Sequence, residues 1–430
     1  MMPAREPRRV HRHLTRCQNG AMTTATIDLL DLDRFQRLEH HAMFERLRAE
    51  DPVSWHEYPG GTGFWNVVQH EDVLTVSRDS ELYSSEVGGV MIMNPEVQGG
   101  FDTRGLMMLY TDPPKHTRYR RLVSKGFTPR MIGMIEQYLR NRSRLIVDNV
   151  IERGQCDFVV DLASELPLQA IAEIMGVPQE DRRLIFEWSN AMIGADDPEF
   201  EGGAEGAHAA SASLYAYAND LAKQRRSEPR DDIVTKLINA EIEGEQLSEL
   251  EFDMFMLLLA VAGNETTRNT TAWGMWALMQ HPEQYAHLRD NLDTALNPAI
   301  EEILRWASPV YHFRRTATAP TELHGREIAE GDKVVMWYIS ANRDEAVFND
   351  PFRFDITREP SEQVAFGGGG HHFCLGANLA RMELRLIFEE VLARIPDMHL
   401  VAEPDVLRSN FIGGVKHMAV EYTPGARVDS

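Results

Sequence analysis

Three short stretches of this chain carry residue types that do chemistry. The first is FGGGGHHFCLGANLAR from Phe366, where four glycines and two histidines precede Cys374 and a helical pattern follows it. The second is AGNETTRNTT from Ala262, where an acid and several hydroxyls follow an apolar run. The third is DPPKHTRYRR (112–121), which puts His116 and Arg120 four apart, on one face of a helix.

Cys374 admits several readings. Free cysteines are among the most buried residue types, so a packed structural thiol is one. Zinc fits poorly: structural zinc takes about four ligands at short paired spacings, and Cys17 and Cys156 lie far away. A catalytic nucleophile would have His371 and His372 as its nearest bases. A thiolate ligating a metal inside a cofactor fits best. A helix N-terminus offers free backbone N–H groups and a favourable dipole to a thiolate, and glycines let the backbone approach a flat ligand. Haem iron takes such a ligand. For AGNETTRNTT the plain reading is a helix face whose threonines bond back to the preceding turn. The other is proton handling, because an acid and hydroxyls in a buried helix are costly without a purpose.

These groups need rigid supports. The capping box Ser248-x-x-Glu251 opens a helix expected to run to about Gln280 and to stop near Pro282. Thirty residues of helix span roughly 45 Å, enough to cross a domain. Helical spacing also marks 131–152 and 211–228, whereas strand signals are few, at FWNVVQ (64–69) and KVVMWYI (333–339). GGVMIMNPEVQGGFDTRG (88–105) reads as a long loop, a kind that is often functional. No linker divides the chain and no internal repeat is visible, so residues 26–430 read as one mainly α domain with minor β. Residues 1–25 read as a disordered basic tail, or an over-extended start with the true start near Met22.

Composition narrows the partners. A formal charge of -22 over 430 residues excludes a nucleic acid and an anionic membrane surface. Three distant cysteines fit a reducing compartment, hence the cytoplasm. The densest apolar run, MFMLLLAVAG (254–263), falls short of the roughly 18 residues of a membrane helix, so no membrane anchor is expected.

The segment Phe366 to Gly376 resembles the haem-binding signature of the cytochrome P-450 monooxygenases, with Gly370, His372, Cys374 and Gly376 at the matching positions. The usual aromatic stands seven residues before the cysteine; here Phe366 stands eight before it, so the loop is one glycine longer. AGNETT resembles the family's oxygen-activation groove, with Ala262 and Gly263 as the small residues and Glu265 and Thr266 as the acid–alcohol pair. Glu302 and Arg305 in EEILRW, with Arg358 downstream, resemble its buried structural triad. His116, Arg120, His372 and Arg315, ten residues before Gly325, match the groups that bind haem propionates, and Arg314 is the weaker choice.

The resemblance covers about residues 30 to 423. It implies the cytochrome P-450 fold, with haem b between the long central helix and the Cys374 loop. It implies insertion of one oxygen atom from O2 into a C–H bond, with Glu265 and Thr266 supplying protons. Two electrons would come from NAD(P)H through a separate ferredoxin and ferredoxin reductase. The segments 166–182, VAGNETTRN and FCLGANLAR resemble a soluble bacterial branch acting on methyl-branched lipids, isoprenoids and sterol side chains. An apolar small-molecule substrate is therefore expected, held by 90–97, 106–110, 186–194 and 410–414, whose methionines adapt to irregular ligands. Two alternatives are a peroxide-driven peroxygenase of the same fold and a haem-based gas sensor.

Overall fold

One helix organises the interior. The computed structural model describes residues 27–428 apart from 60, 94–103, 125–128, 195, 200–201, 243–244 and 360–361. The expected tail, and 94–97 of the first pocket segment, lie outside the described residues. The helices that bear on the site are α1 (His70–Arg78), α2 (Lys115–Ser124), α3 (Pro129–Ile151), α4 (Glu165–Met175), α5 (Arg182–Ile193), α6 (Gly203–Ser227), α7 (Glu249–Gln280), α8 (Leu292–Ala307) and α9 (Ala377–Arg394).

α7 begins where the capping box puts it. Ser248 Oγ accepts from the Glu251 N–H at 3.2 Å, and the Glu251 carboxylate accepts from the Ser248 N–H at 2.9 Å. Its 32 residues reach about 48 Å. Every residue from Thr267 to Leu278 is buried, so this half is surrounded on all sides; its hydroxyls Thr270 and Thr271 are satisfied by donating to the carbonyls of Thr266 and Thr267. The main core lies around it, with Trp276, Ile303, Leu384 and Phe388 in one cluster from α7, α8 and α9. The three helices close at Gly274, where a Cβ would lie 2.6 Å from Ile303 and 3.0 Å from Phe388.

The largest sheet joins β1 (Val53–His56), β2 (Phe64–Val67), β3 (Tyr83–Ser84), β4 (His312–Ala317) and β5 (Lys333–Trp337) in the order β1-β2-β5-β4-β3. Only the β5–β2 pair is parallel. Alternation along β4 sends Arg314 and Arg315 to opposite faces, which decides between the two arginines below. The expected strand 333–339 ends at Trp337, and Tyr338–Ala341 forms a single helical turn.

Glu302 and Arg305 on α8 form the expected buried pair, joined by Arg358. The Glu302 carboxylate accepts from Arg305 Nε and Nη2 at 2.7 Å each, from Arg358 Nε at 3.1 Å and from the Asp355 N–H at 2.9 Å. Arg305 also donates to the carbonyls of Asn342 and Pro351. Four donors on one buried carboxylate make this a framework for the chain entering the Cys374 loop. α6 starts at Gly203, eight residues ahead of the expected 211. Its first turns, rich in glycine and alanine, carry no apolar stripe from which to read a helix.

Candidate active site and cofactor cradle

The Cys374 loop is seated on the end of α1. A Cβ at Gly368 would lie 2.5 Å from Ser77 Oγ, and one at Gly370 would lie 2.5 Å from the Ser77 carbonyl oxygen. Only glycine permits that approach. The Cys374 N–H donates to the Phe366 carbonyl at 3.0 Å, closing the turn. Phe366 lines the cavity despite its shifted position, so the extra glycine is absorbed within the turn. Its ring lies 4.6 Å from the Arg381 guanidinium, which pairs with Glu301 of α8 at 2.5 Å.

α9 opens at Ala377 with Gly376 as its cap, leaving Cys374 just ahead of the helix. Cys374 is exposed by surface yet desolvated, and both hold because it faces an internal cavity. Burial pushes its thiol up. The N–H groups of Gly376 and Ala377 and the charges of Arg120 and Arg381 pull it back, as a thiolate ligand requires. Among the described residues no three His, Cys, Asp or Glu side chains cluster as a site for a bare metal ion.

α7 forms the facing wall with Ala262, Gly263, Thr266, Thr267 and Thr270. Thr266 Oγ1 donates to the Ala262 carbonyl at 2.8 Å, and Thr270 Oγ1 donates to the Thr266 carbonyl at 2.8 Å. This is the back-bonding of the plain reading, and it coexists with a hydroxyl facing the cavity. Glu265 is absent from that wall. It is fully buried behind α7 and paired with Arg268, which also donates to Asn190 of α5 at 2.6 Å. Burial pushes the Glu265 carboxyl up, and Arg268 opposes this. The acid and the alcohol are thus neighbours in sequence that face different surroundings.

A third side of the cavity is cationic. His116, Arg120, Arg315 and His372 all line it. The His116 and His372 rings are 4.1 Å apart. Burial, then Arg120 and His371, push His116 down to about 4. Burial, then Arg315 and His116, push His372 down to about 2. His116 Nδ1 and His372 Nε2 are buried without a hydrogen-bond partner. The hydrogen bonds of Arg120 and Arg315 go to the carbonyls of His371 and Arg314, not to a carboxylate. Arg314 turns to the other face, toward the carbonyls of Met91 and Ile92. Two guanidiniums and two orphaned imidazole nitrogens in a desolvated corner call for an anionic guest with several acceptor oxygens. A flat cofactor bearing two carboxylates, with its metal over Cys374, fits that donor set.

The rest of the wall is apolar and differs from the expectation. Met108 and Leu109 come from 106–110, but Val123, Ile171, Phe255, Leu258, Leu259, Val310 and Phe313 lie outside the expected segments. Segment 186–194 sits behind α7, where Phe186 packs under Arg268 and Asn190 accepts from it. Segment 410–414 braces the cavity from behind, Ile412 pairing with Val310. Of 90–93, Val90 and Ile92 are buried, Ile92 within a cluster around Phe35 and Trp337. Among the described residues Met108 is the one methionine of the wall, so the methionine-rich lining is not what forms. The sequence reading also passed over Glu383, a fully buried acid of α9 at the cavity edge. Its signal was an acid flanked by the apolar Met382 and Leu384.

A cysteine-headed loop facing a hydroxyl-bearing helix across an anion-ready slot defines a haem-type site. The comparisons agree. A family model described as Cytochrome P450 matches residues 200–396. A steroid C26-monooxygenase of Mycolicibacterium smegmatis is 44% identical, covering 92% of this chain and 93% of that protein. A methyl-branched lipid omega-hydroxylase of Mycobacterium tuberculosis is 42% identical, covering 88% and 90%. The structure of a Mycobacterium marinum cytochrome P450 in complex with pseudoionone superposes with a TM-score of 0.87 at 39% identity, covering 92% of this chain and 98% of that one. The chain belongs to the cytochrome P450 family and is a monooxygenase that uses haem. Neither the peroxide-driven reading nor the gas sensor is favoured. No described helix is long and apolar enough to cross a membrane.

Proposed function

We propose that this chain hydroxylates a mostly hydrocarbon substrate, a sterol side chain or methyl-branched lipid, at its terminal or branched methyl end. The observation that carries this is the separation of polarity in the cavity. Val123, Phe255, Leu258 and Val310 form an apolar wall, the threonine hydroxyls lie on α7 with Ser77 and Tyr338 elsewhere on the lining, and Arg120 and Arg315 occupy the corner reserved for the cofactor. The names of the two curated relatives support the substrate class. Residues 26–430 act as one catalytic domain in the cytoplasm.

The cofactor we assign is haem b. The sequence has no C-x-x-C-H motif for covalent attachment, and the cationic corner suits two propionates. Cys374 would ligate the iron, Gly376 and Ala262 would give the ring room, and Arg120, Arg315, His116 and His372 would hold the carboxylates. When bound, the haem supplies the iron that activates dioxygen. The balance is one C–H bond, one O2, two electrons and two protons giving one C–OH and one water. The electrons are assigned to NAD(P)H through ferredoxin reductase and ferredoxin. Thr266 holds a hydrogen-bonded proton in the cavity, and Glu265 behind it draws protons from the Arg268 side. The apolar wall excludes bulk water and orients the hydrocarbon.

The test has two arms. Cys374→His should abolish the red-shifted Soret band of a thiolate-ligated carbonyl complex; a variant that keeps that band removes Cys374 from the iron. Methyl-branched fatty acids and sterol side-chain compounds should drive the high-spin shift and be oxidised near a methyl end. Turnover of small polar aromatics alone would reject the substrate class and leave the monooxygenase standing.

A further inference from the structure

Three segments distant in sequence meet at His417. Its Nδ1 lies 2.6 Å from a carboxylate oxygen of Asp157, and its Nε2 lies 2.8 Å from one of Glu199. His417 ends the strand Val415–His417, Asp157 ends the strand Gln155–Asp157, and Glu199 lies between α5 and α6. A second set of bonds runs beside the ring. Asp197, 2% exposed, accepts from the Arg408 N–H at 2.9 Å, the Glu199 N–H at 3.0 Å and Lys416 Nζ at 3.1 Å. Lys416 also pairs with Glu199 at 2.6 Å. The strand Asp405–Val406 pairs with Val415–His417, so these residues belong to the hairpin that braces the cavity. From that hairpin Ile412 bridges to Val310, the Gly413 N–H donates to the Pro309 carbonyl at 2.9 Å, and the Gly413 carbonyl accepts from Trp273 of α7 at 3.0 Å.

We infer that His417 is a positioning residue held as an imidazolium, a proton-dependent clamp that fastens the hairpin 405–417 to Asp157 and Glu199 and so steadies Val310 on the cavity wall. This rests on the monooxygenase reading above and adds control by pH to that site. A carboxylate only accepts, so both ring nitrogens must carry hydrogen to serve both carboxylates, and only the charged ring does. Among the described residues the charged groups around the ring are Asp157, Glu199, Lys416 and, in register across the hairpin, Asp405. Burial pushes His417 down, but the bonds and charges of Asp157 and Glu199 outweigh it and raise the ring above 6.5. For Glu199 burial pushes up, but Lys416 and His417 outweigh it and hold the carboxyl low. For Lys416 burial pushes down, but Glu199 and Asp197 outweigh it and hold the amine high. Of these three, His417 is therefore the one that titrates near neutrality. The clamp is complete below the ordinary histidine value of 6.5 and loosens as pH rises through the raised value of the folded ring. One N–H proton then goes to solvent, and the neutral ring keeps one of its two carboxylates. Asp197 with Lys416 and Arg408 persists, so the hairpin loosens without coming away.

The competing account is a solvent-screened ion pair that holds nothing in place, since the His417 and Glu199 side chains are 45% and 40% exposed. Nitrogen NMR of the ferrous carbonyl holoprotein, with isotope-labelled histidine and His417→Gln for assignment, should show both His417 nitrogens protonated at pH 7. Its titration midpoint should lie above 6.5. A midpoint at or below 6.5 overturns the proposal. Hydrogen exchange at 405–417, corrected for its intrinsic pH dependence, should quicken about 2- to 5-fold as pH passes that midpoint. In His417→Gln it should be fast and flat with pH. Exchange that ignores the midpoint in the parent, or still follows it in His417→Gln, overturns the proposal as well. With a methyl-branched fatty acid as probe, the share of oxidation at the chain end should fall over the same interval in the parent, and be low and flat in His417→Gln. A share that does not follow the midpoint in the parent overturns the link from clamp to wall. If the probe is not oxidised although the thiolate carbonyl band is present, the substrate reading falls instead, and the NMR and exchange results still decide the clamp.

Discussion

Gly370→Ala should damage this protein more than Gly367→Ala, although both glycines have left-handed backbones. Their φ angles are 72° and 93°. An alanine at either position carries the same conformational cost of about 1–2 kcal/mol. The surroundings differ. A Cβ at Gly370 would lie 2.5 Å from the Ser77 carbonyl oxygen and 3.1 Å from Arg78 Cα, which are backbone atoms of α1 and cannot swing aside. A Cβ at Gly367 meets nothing closer than the His372 carbonyl oxygen at 3.9 Å. Forcing atoms into a filled site costs a further ~1–3 kcal/mol. That is about 5- to 150-fold in the folding equilibrium. The assay is urea unfolding of both variants and the parent, followed by tryptophan fluorescence, with midpoints compared at a common slope. Gly370→Ala should also lift the Cys374 loop off α1 and lower the fraction of chains that show the thiolate carbonyl band. Equal midpoints, or a larger loss in Gly367→Ala, would refute the claim that backbone contact with α1 sets the loop.

Three further outcomes follow from the geometry. Thr266→Ala should leave the spectral binding constant of substrate unchanged while lowering product per NAD(P)H by about 10-fold or more, with the difference appearing as hydrogen peroxide; tight coupling in that variant would remove the hydroxyl from proton handling. Glu302→Ala strips Arg305 and Arg358 of their shared carboxylate and leaves a buried guanidinium unpaired, so unfolding free energy should fall by about 3–5 kcal/mol. Between the ordinary carboxyl value of 4.5 and about 8, folding takes up a proton at Glu383. The stability contribution is full below that window and falls as pH rises through it by about 1.4 kcal/mol per unit. Glu383→Gln should flatten that slope in denaturation measured from pH 5 to 8.

What the sequence made legible was local. The capping box at Ser248 and Glu251 placed the start of α7 because both partners lie within one turn. His116 and Arg120 could be paired because they share a helix face, and the Cys374 loop because glycines, cysteine and helix start are contiguous. The illegible parts were made by chain segments distant in sequence. The cavity wall joins Val123, Ile171, Phe255 and the Val310–Phe313 stretch from four separate segments, so no run of apolar residues announces it. Segment 410–414 looked like lining and proved to be the brace behind Val310, since apolarity marks burial and not which side of a wall a residue takes. Glu265 was read as the partner of Thr266; that it instead pairs with Arg268 and turns from the cavity depends on Asn190 and Phe186 of α5.

The cavity has to solve a problem of selectivity that affinity alone does not solve. About 25 cal/mol is gained per Å² of apolar surface buried, so the long hydrocarbon proposed above would bind to such a wall without a charged anchor. Such binding is non-directional, and it would as readily present a secondary or tertiary C–H bond, which is weaker than one in a terminal methyl. Attack at a chain end therefore needs a fixed geometry, and correct positioning has up to about 7–11 kcal/mol to offer. Close helix packing helps to supply that geometry. α7 cannot shift toward α4, because Gly263 already stands where a Cβ would lie 2.5 Å from Ile171. The Cys374 loop is seated on backbone atoms of α1, which do not yield as a side chain would. With both faces of the slot fixed by close packing, the spacing between Thr266 and the Cys374 loop is set by the fold. On the substrate reading proposed above, the length of the hydrocarbon chain against the lining residues Phe255, Leu258 and Val310 would decide which carbon arrives at the reacting position.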